Sequence, residues 1–271
     1  MTKKPSVALI GAGSMGGALL VSWAEQAAID FSRSAIFDPA ASERVKKLCA
    51  RYKISLNPPI DAVDADVMIV AIKPQKAQAL LPEYSPIAMS AIVVSVMAGK
   101  SIASVSTLLG NAKRVARSMP NLPAAIGQGM SGIYAPNSID ADGRGIIEGL
   151  MKTAGDVVWV KNEKEIDFVT AISGSGPAYY FLLTEALADA GDALGLDREA
   201  AAKLALATLT GAGGLMAVET RTSEEMRRAV TSPGGTTEAA LHVFDGAEQR
   251  MRKLVADAVL AAAKRAGELT D

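Results

Sequence analysis

The sequence predicts an α/β domain on a doubly wound, mostly parallel sheet, followed by an all-helical domain. Three observations carry the prediction. Residues 6–38 read as an apolar strand, a glycine-rich turn, an apolar-striped helix and a second short strand. Strand-length apolar runs then alternate with helical segments up to about residue 160, the pattern of parallel strands joined by crossover helices. Beyond residue 161 no convincing strand is found. The expected domains are therefore residues 1–161 and 162–271.

Val7–Ile10 is the short apolar run that a strand buried on both faces requires. Gly11, Gly13 and Gly16 follow at GxGxxG spacing, and residues 14–28 carry Leu19, Leu20 and Trp23 on one helical face. Residues 34–38 form the second expected strand. Ser42 is placed to cap a helix through Ala50. Residues 53–56 and 67–72 read as the third and fourth strands, the latter closed by Lys73-Pro74-Gln75. Residues 91–96 are a fifth strand ending in Met97-Ala98-Gly99, with Ser101 capping a helix to Leu109. Residues 113–118 are a sixth. Residues 129–134 and 157–160 read as closing strands around a helix at 140–153. Helices are expected at 163–172, 177–194, 197–219, 222–230, 236–245 and 247–267.

Composition narrows the function classes. The 271 residues are 49% hydrophobic but only 4% aromatic, so aliphatic side chains must fill the core. With 28 basic and 29 acidic residues the net charge is −1, which gives no electrostatic reason to bind nucleic acid or an anionic membrane. One cysteine, Cys49, and one histidine, His242, argue against a disulfide framework and a metal site. No apolar run approaches the roughly 18–20 residues of a membrane span. Lys3 and Lys4 ahead of the first strand resemble the start of a signal peptide, but glycines break the apolar stretch at once. The expectation is a soluble, cytoplasmic protein. His242 and the 11 methionines read as packed side chains.

In a doubly wound sheet, ligands sit at the carboxyl ends of the strands. That places Gly11 to Gly16, Asp38, Ala71 to Pro74 and Val96 to Gly99 around one crevice. In a GxGxxG turn the first glycine allows the tight turn, the second lets a pyrophosphate approach, and the third lets helix and strand pack. Exposed amides at the helix start then face the phosphates. Asp38 follows Gly16 by 22 residues, the position of the carboxylate that accepts the ribose 2′-hydroxyl of NAD and repels a 2′-phosphate. In the helical half, Thr231-Ser232-Pro233-Gly234-Gly235-Thr236-Thr237 leads into a helix. Its hydroxyls and free amides make either a receptor for a small carboxylate or a tight interhelical turn with a threonine cap. The small residues Ala205, Gly211, Ala212, Gly213 and Gly214 suggest helices that approach closely and pack against a second copy.

Taken together these motifs resemble the pyrroline-5-carboxylate reductase family, over essentially the whole chain. Gly11-Ala12-Gly13-Ser14-Met15-Gly16 is similar to the family's cofactor loop, and Ala71-Ile72-Lys73-Pro74 to its loop after the fourth strand. Arg117-Ser118-Met119-Pro120-Asn121 and Ser173-Gly174-Ser175-Gly176-Pro177 are similar to its turn and interdomain helix entry. Residues 230–237 match the family signature.

The resemblance implies a Rossmann domain followed by a helical dimerisation domain, with dimers assembling into larger rings. It implies hydride transfer from NAD(P)H to the C=N of 1-pyrroline-5-carboxylate, giving L-proline. The cofactor-binding residues would be Gly11, Gly13, Ser14, Met15, Gly16, Asp38, Ala71, Ile72, Lys73, Pro74, Val96, Met97 and Ala98, with the last three on the nicotinamide side. The substrate-binding residues would be Ser232, Gly235, Thr236 and Thr237, with Glu163 and Thr170 nearby, and Thr237 is the candidate hydroxyl for the ring nitrogen. Asp38 favours NADH over NADPH, against the habit of many members, although Arg44 and Lys46 follow closely. A protonated imine is already electrophilic, so no buried base is obligatory. A 3-hydroxyacid reductase on the same plan would need a lysine on the interdomain helix, and residues 173–194 contain none. A non-enzymatic dinucleotide sensor would be expected to lose the 232–237 cradle.

Overall fold

A computed structural model describes residues 4–270; of the signal-like basic pair, Lys3 lies outside the described residues. The chain forms two compact units, one of residues up to Ser175 with those from Ala262 onward, the other Gly176–Ala261.

The first unit is built on one eight-stranded sheet in the order β3-β2-β1-β4-β5-β6-β7-β8. Its elements are β1 (Val7–Ile10), α1 (Ser14–Glu25), β2 (Ala35–Phe37), α2 (Glu43–Tyr52), β3 (Ser55–Leu56), β4 (Val67–Val70), α3 (Ala77–Leu80), α4 (Ser85–Ala88) and β5 (Ile92–Ser95). They continue through α5 (Ile102–Leu108), β6 (Val115–Met119), β7 (Gly129–Tyr134), α6 (Ala141–Lys152), β8 (Gly155–Trp159) and α7 (Glu165–Val169). Every pairing is parallel except β6 with β7.

Strand alternation sorts the core into two layers. Val7, Leu9, Val67 and Ile69 face Leu19, Leu20 and Trp23 of α1, and this layer extends to α2 and α6. Ala8, Ile10, Met68 and Val70 face the other way, toward Ala77, Leu81, Ile87 and Val105 of α3, α4, α5 and the turn between them. Each fully buried side chain of leucine size contributes about 1.5–3 kcal/mol relative to exposure. Trp23 is wholly buried and its indole N–H donates to the Leu150 carbonyl at 2.9 Å, tying α1 to α6.

Several boundaries differ from the sequence expectation, each for a local reason. Helix α1 stops at Glu25 rather than near residue 28, because Ala27 turns into the left-handed region at φ 47°. Helix α2 runs past Ala50 to Tyr52 and ends on left-handed Lys53, so β3 starts later than expected. Strand β4 stops at Val70, since Lys73 precedes a proline that opens a 3₁₀ turn at Pro74–Lys76. The helix expected over 163–172 is α7 continued by a π-helical turn, Thr170–Gly174.

The second unit holds most of α8 (Gly176–Ala193), α9 (Arg198–Val218), α10 (Ser223–Ala229), α11 (Thr236–Asp245) and the first part of α12 (Arg250–Leu269). It buries little of itself. Ala201 and Ala205 are its buried apolar side chains among the described residues, whereas Phe181, Leu182, Leu204, Leu206 and Phe244 are exposed. His242, expected to be packed, is exposed in the single chain. Helix α9 also corrects the expectation that no segment is long and apolar enough for a membrane. Its 21 residues reach a mean hydropathy of 1.4 over an 18-residue window, through alanine and leucine with Met216 and Val218 rather than aromatic side chains.

The amino end of the sheet is closed by a polar clamp. The Asp66 carboxylate accepts from the Ser6 amide and hydroxyl at 2.8 Å each, and Arg33 bridges Asp66 to Asp30. The Ser32 hydroxyl, then Arg33, hold the Asp30 carboxyl at about 2, down from 3.8. For Asp66 burial opposes ionisation, but Ser6 and Arg33 outweigh it and its pKa is also lowered. A depressed carboxylate stabilises the fold above its unfolded pKa and loses that contribution as pH falls through its folded pKa. Between pH 4 and 2, melting curves of the wild type should therefore fall more steeply than those of Asp30→Asn; parallel curves would refute the role of the clamp.

Candidate active site

The glycine loop sits at the switch point where β1 lies between β2 and β4. The Gly11 amide donates to the Phe37 carbonyl and the Ala71 amide to the Ile10 carbonyl, both at 2.8 Å, so the ends of β2, β1 and β4 converge. Gly11 has φ 88°, and a Cβ there would meet the Ala71 carbonyl oxygen at 2.8 Å and Ile72 Cγ2 at 2.9 Å. A Cβ on Gly16 would come within 2.0 Å of the Gly11 carbonyl oxygen. These two glycines are required by packing. Gly13 differs, because a Cβ there would meet nothing within 4 Å. It is the N-cap of α1 and provides no side-chain cap. The first-turn amides of α1 therefore keep their donors for an external anion.

Asp38 is locked above this loop. Its Oδ2 accepts from the Ala12 amide at 2.8 Å and its Oδ1 from the Ala40 amide at 2.9 Å. Asn57 brackets its backbone, accepting from the Asp38 amide and donating to its carbonyl. A cavity of about 280 Å³ beside the loop is lined by Gly13, Ser14 and Gly17 together with Ser42 and Arg44. Met15 packs partly into the core. Lys73 is exposed, and Pro74 opens the turn after β4.

After β5, Val96 is half-buried and Ala98 exposed, whereas the Met97 side chain is buried in the second core layer. Only the backbone of Met97 is left to face a ligand. The Val96 amide donates to the Val70 carbonyl at 3.0 Å, setting this loop beside the end of β4. The structure thus brings the expected cofactor residues together along the carboxyl ends of β2, β1, β4 and β5.

Glu163 and Thr170 lie in the same unit. Glu163 Oε1 accepts from the Ile102 amide at 2.7 Å and pairs with Arg117 Nη1 at 3.2 Å. The Thr170 hydroxyl donates to the Ile166 carbonyl at 2.8 Å. Asn121 holds the π-helical turn by donating to Ser173, while its own oxygen accepts from the Met130 amide.

The 230–237 segment belongs to the second unit. Gly234 has φ 71°, and its amide donates to Glu238 at 2.7 Å. Gly235 is the N-cap of α11, with no side-chain cap. Ser232 and Thr236 are exposed and Thr237 half-buried. No threonine hydroxyl caps this helix start, unlike the threonine-capped turn the sequence also allowed. Helices α2, α5, α6, α9 and α10 begin on Ser42, Ser101, Asp140, Asp197 and Thr222, each accepting a first-turn amide. Helices α1 and α11 instead start on uncapped glycine.

The Asn57 lock on Asp38, the Ser42–Arg44 wall and the pairing of Arg117 Nη2 with Asp167 Oδ1 at 3.7 Å were not visible as site features in the sequence. The left-handed Asn57, at φ 51° before two prolines, is the one such residue with a local turn signal.

Comparison with known proteins bears on family and fold. Residues 163–269 match the family model described as pyrroline-5-carboxylate reductase dimerisation. Residues 6–99 match the model described as NADP oxidoreductase, coenzyme F420-dependent. A pyrroline-5-carboxylate reductase from Pseudomonas aeruginosa is 39% identical, over 98% of this chain and 97% of its own. The structure of such a reductase from Coxiella burnetii superposes with a TM-score of 0.90 at 31% identity, covering 99% of this chain and 100% of the other. The Plasmodium falciparum pyrroline carboxylate reductase with NADP bound shares the fold, with a TM-score of 0.82 at 24% identity and full coverage of both chains.

The glycine loop yields a paired prediction. Gly13→Ala should keep the melting temperature within a few degrees yet weaken NADH binding about tenfold, because the cost falls on pyrophosphate approach. Gly16→Ala should lower the melting temperature itself. Equal NADH affinity in Gly13→Ala and the wild type, measured by fluorescence titration, would contradict the assignment.

Proposed function

The chain belongs to the pyrroline-5-carboxylate reductase family, and from that premise we propose how its own residues carry the reaction. The protein is an NAD(P)H-dependent oxidoreductase that reduces 1-pyrroline-5-carboxylate to L-proline, the last step of proline biosynthesis. The observation that carries the reading is the pair of uncapped glycine helix starts, at Gly13 and Gly235.

The open space at Gly13 and the free amides of α1 fit a dinucleotide pyrophosphate. The bound nicotinamide supplies the hydride. Gly11, Gly13, Ser14, Met15 and Gly16 form the loop that holds the phosphates. Residues Ala71 to Pro74 and Val96 to Ala98 border the nicotinamide end. Ser232, Thr236 and Thr237, with the first-turn amides of α11 from Thr236 onward, hold the substrate carboxylate; the Gly235 amide itself donates to the Ser232 carbonyl at 3.0 Å. The Thr237 hydroxyl oxygen accepts a hydrogen bond from the N–H of the protonated imine, and Thr237 is the proposed catalytic residue. Glu163 and Thr170 belong to the substrate side. Holding both reactants in place is the protein's main contribution to rate.

The functional division follows residues 1–161 for the dinucleotide and 162–271 for substrate and dimerisation, supported by a family match that begins at residue 163. The exposed apolar side chains of α8, α9 and α11 support self-association as a dimer, with dimers assembling into a ring. In this reading α9 packs on a second copy rather than in a membrane, and the enzyme works in the cytoplasm.

For cofactor choice we favour NADH. A carboxylate fixed by the Ala12 amide at the end of β2 accepts a ribose 2′-hydroxyl and repels a 2′-phosphate. A second reading rests on Arg44 and Ser42, which line the cavity beside the loop and offer a 2′-phosphate a cation and a hydroxyl.

Steady-state assays with both cofactors decide between them. The wild type should show the higher kcat/KM with NADH, and Asp38→Ser should narrow the ratio about tenfold. An NADPH preference in the wild type would select the Arg44 reading. Thr237→Ala should lower kcat as well as raise substrate KM. A rise in KM alone would leave Thr237 as a carboxylate ligand without the ring-nitrogen role.

A further inference from the structure

Arg117 is out of place in a central strand. It lies on β6 between Ser95 of β5 and Tyr134 of β7, and is 1% exposed. A buried guanidinium with incomplete hydrogen bonding is costly. Its Nη1 reaches Glu163 at 3.2 Å, its Nη2 lies 3.7 Å from Asp167, and Nε and Nη2 make no hydrogen bond.

The two carboxylates lead to a single loop. Glu163 Oε1 also accepts from the Ile102 amide at 2.7 Å, the first residue of α5 and the end of the loop that follows β5. Asp167 Oδ1 accepts from the Thr270 hydroxyl at 3.2 Å, just past the end of α12. The neighbouring residue, Leu269, lies against the same loop from the other side. A Cβ built on Gly99 would come within 2.7 Å of the Leu269 carbonyl oxygen and 2.9 Å of its Cβ. The contacts therefore close a ring, from Ile102 through Glu163, Arg117 and Asp167 to Thr270, and from Leu269 back to Gly99. All of its members lie in the first compact unit.

We propose that the end of α12 is a strut that fixes the loop carrying Val96, Met97 and Ala98, with Arg117, Glu163 and Asp167 as its positioning residues. Arg117 is the buried cation that holds the two carboxylates at their stations. Glu163 fixes the carboxyl side of the loop through a helix-start amide, where a negative charge is favoured. Leu269 bars the loop from swinging outward at Gly99. The effect on the reaction rests on the reading that Val96 to Ala98 border the nicotinamide. A displacement of about 1 Å at a reacting group can cost on the order of 100-fold in rate, so a loosened loop should reduce turnover before it reduces stability.

The test uses the full chain with Glu163→Ala, Glu163→Gln, Asp167→Asn and Thr270→Val. Arg265→Ala, on an exposed face of α12, is the control. Amide hydrogen exchange is followed over residues 96–102 in the cofactor-free protein, with NADH affinity by fluorescence, kcat, substrate KM and melting temperature. In Glu163→Ala and Thr270→Val, exchange of 96–102 should quicken about tenfold. Their kcat should fall about tenfold or more, and in Thr270→Val, which removes no residue of the substrate side, substrate KM should stay within about twofold. Glu163→Gln, which retains an acceptor for the Ile102 amide, should recover most of both losses, and Arg265→Ala should match the wild type. Should Asp167→Asn not fold, the Glu163 pair and Thr270→Val still decide. Unchanged exchange in Glu163→Ala and Thr270→Val overturns the strut. Faster exchange with unchanged kcat and NADH affinity overturns the placement of Val96 to Ala98 at the nicotinamide, and with it the positioning role.

Discussion

No side chain can stand between the start of α1 and the ends of β1 and β4. The Gly11 carbonyl occupies the place where a Cβ on Gly16 would sit, and Ala71 and Ile72 occupy the space beside Gly11. This contact brings α1 down onto the sheet, sinks Leu19, Leu20 and Trp23 into one core layer and aims the amino end of the helix along the strand ends. The crevice, the exposed amides and the position of Asp38 all follow from it. Gly13, the one glycine of the motif at which a Cβ would meet nothing within 4 Å, is where the proposed function puts the pyrophosphate.

The same physical device recurs far along the chain. A helix that starts on Ser, Thr or Asp satisfies a first-turn amide with its own side chain, and α2, α5, α6, α9 and α10 do so. A glycine start forgoes that stabilisation and leaves the amides to a ligand. In the proposed function that ligand is a pyrophosphate at α1 and a small carboxylate at α11, so backbone amides help to hold both the donor and the acceptor of the hydride. This explains how a chain with one histidine and one cysteine can be a reductase. The hydride comes from the cofactor, and the protein supplies position.

What was legible in the sequence was local. The GxGxxG turn, the alternation of strand and helix and the Pro-Gly-Gly entry to α11 are short-range patterns, and each lies where the residues indicated. The element ends were less legible, because they depend on single backbone choices such as left-handed Ala27 and Lys53. Least legible were the polar contacts between distant segments. Glu163 is separated by 61 residues from Ile102, and Thr270 by 103 from Asp167. No spacing rule relates them. The apolarity of α9 was missed for another reason, since Lys203, two threonines and three glycines interrupt a helix whose mean hydropathy is still high.

The uncapped start of α11 is the claim on which the substrate assignment stands, and Gly235→Ser tests it most directly. Gly235 has an extended backbone at φ −85° that any residue can adopt, and a Cβ there would meet the Ser232 carbonyl oxygen at 3.0 Å, so the exposed turn before it must give slightly. A serine there would place its own hydroxyl on the first-turn amides, as Ser42 does for α2. Substrate KM should rise about tenfold or more while NADH KM is unchanged and the melting temperature holds or increases. An unchanged substrate KM, in a variant shown to be folded, would contradict the assignment of the carboxylate to this helix start.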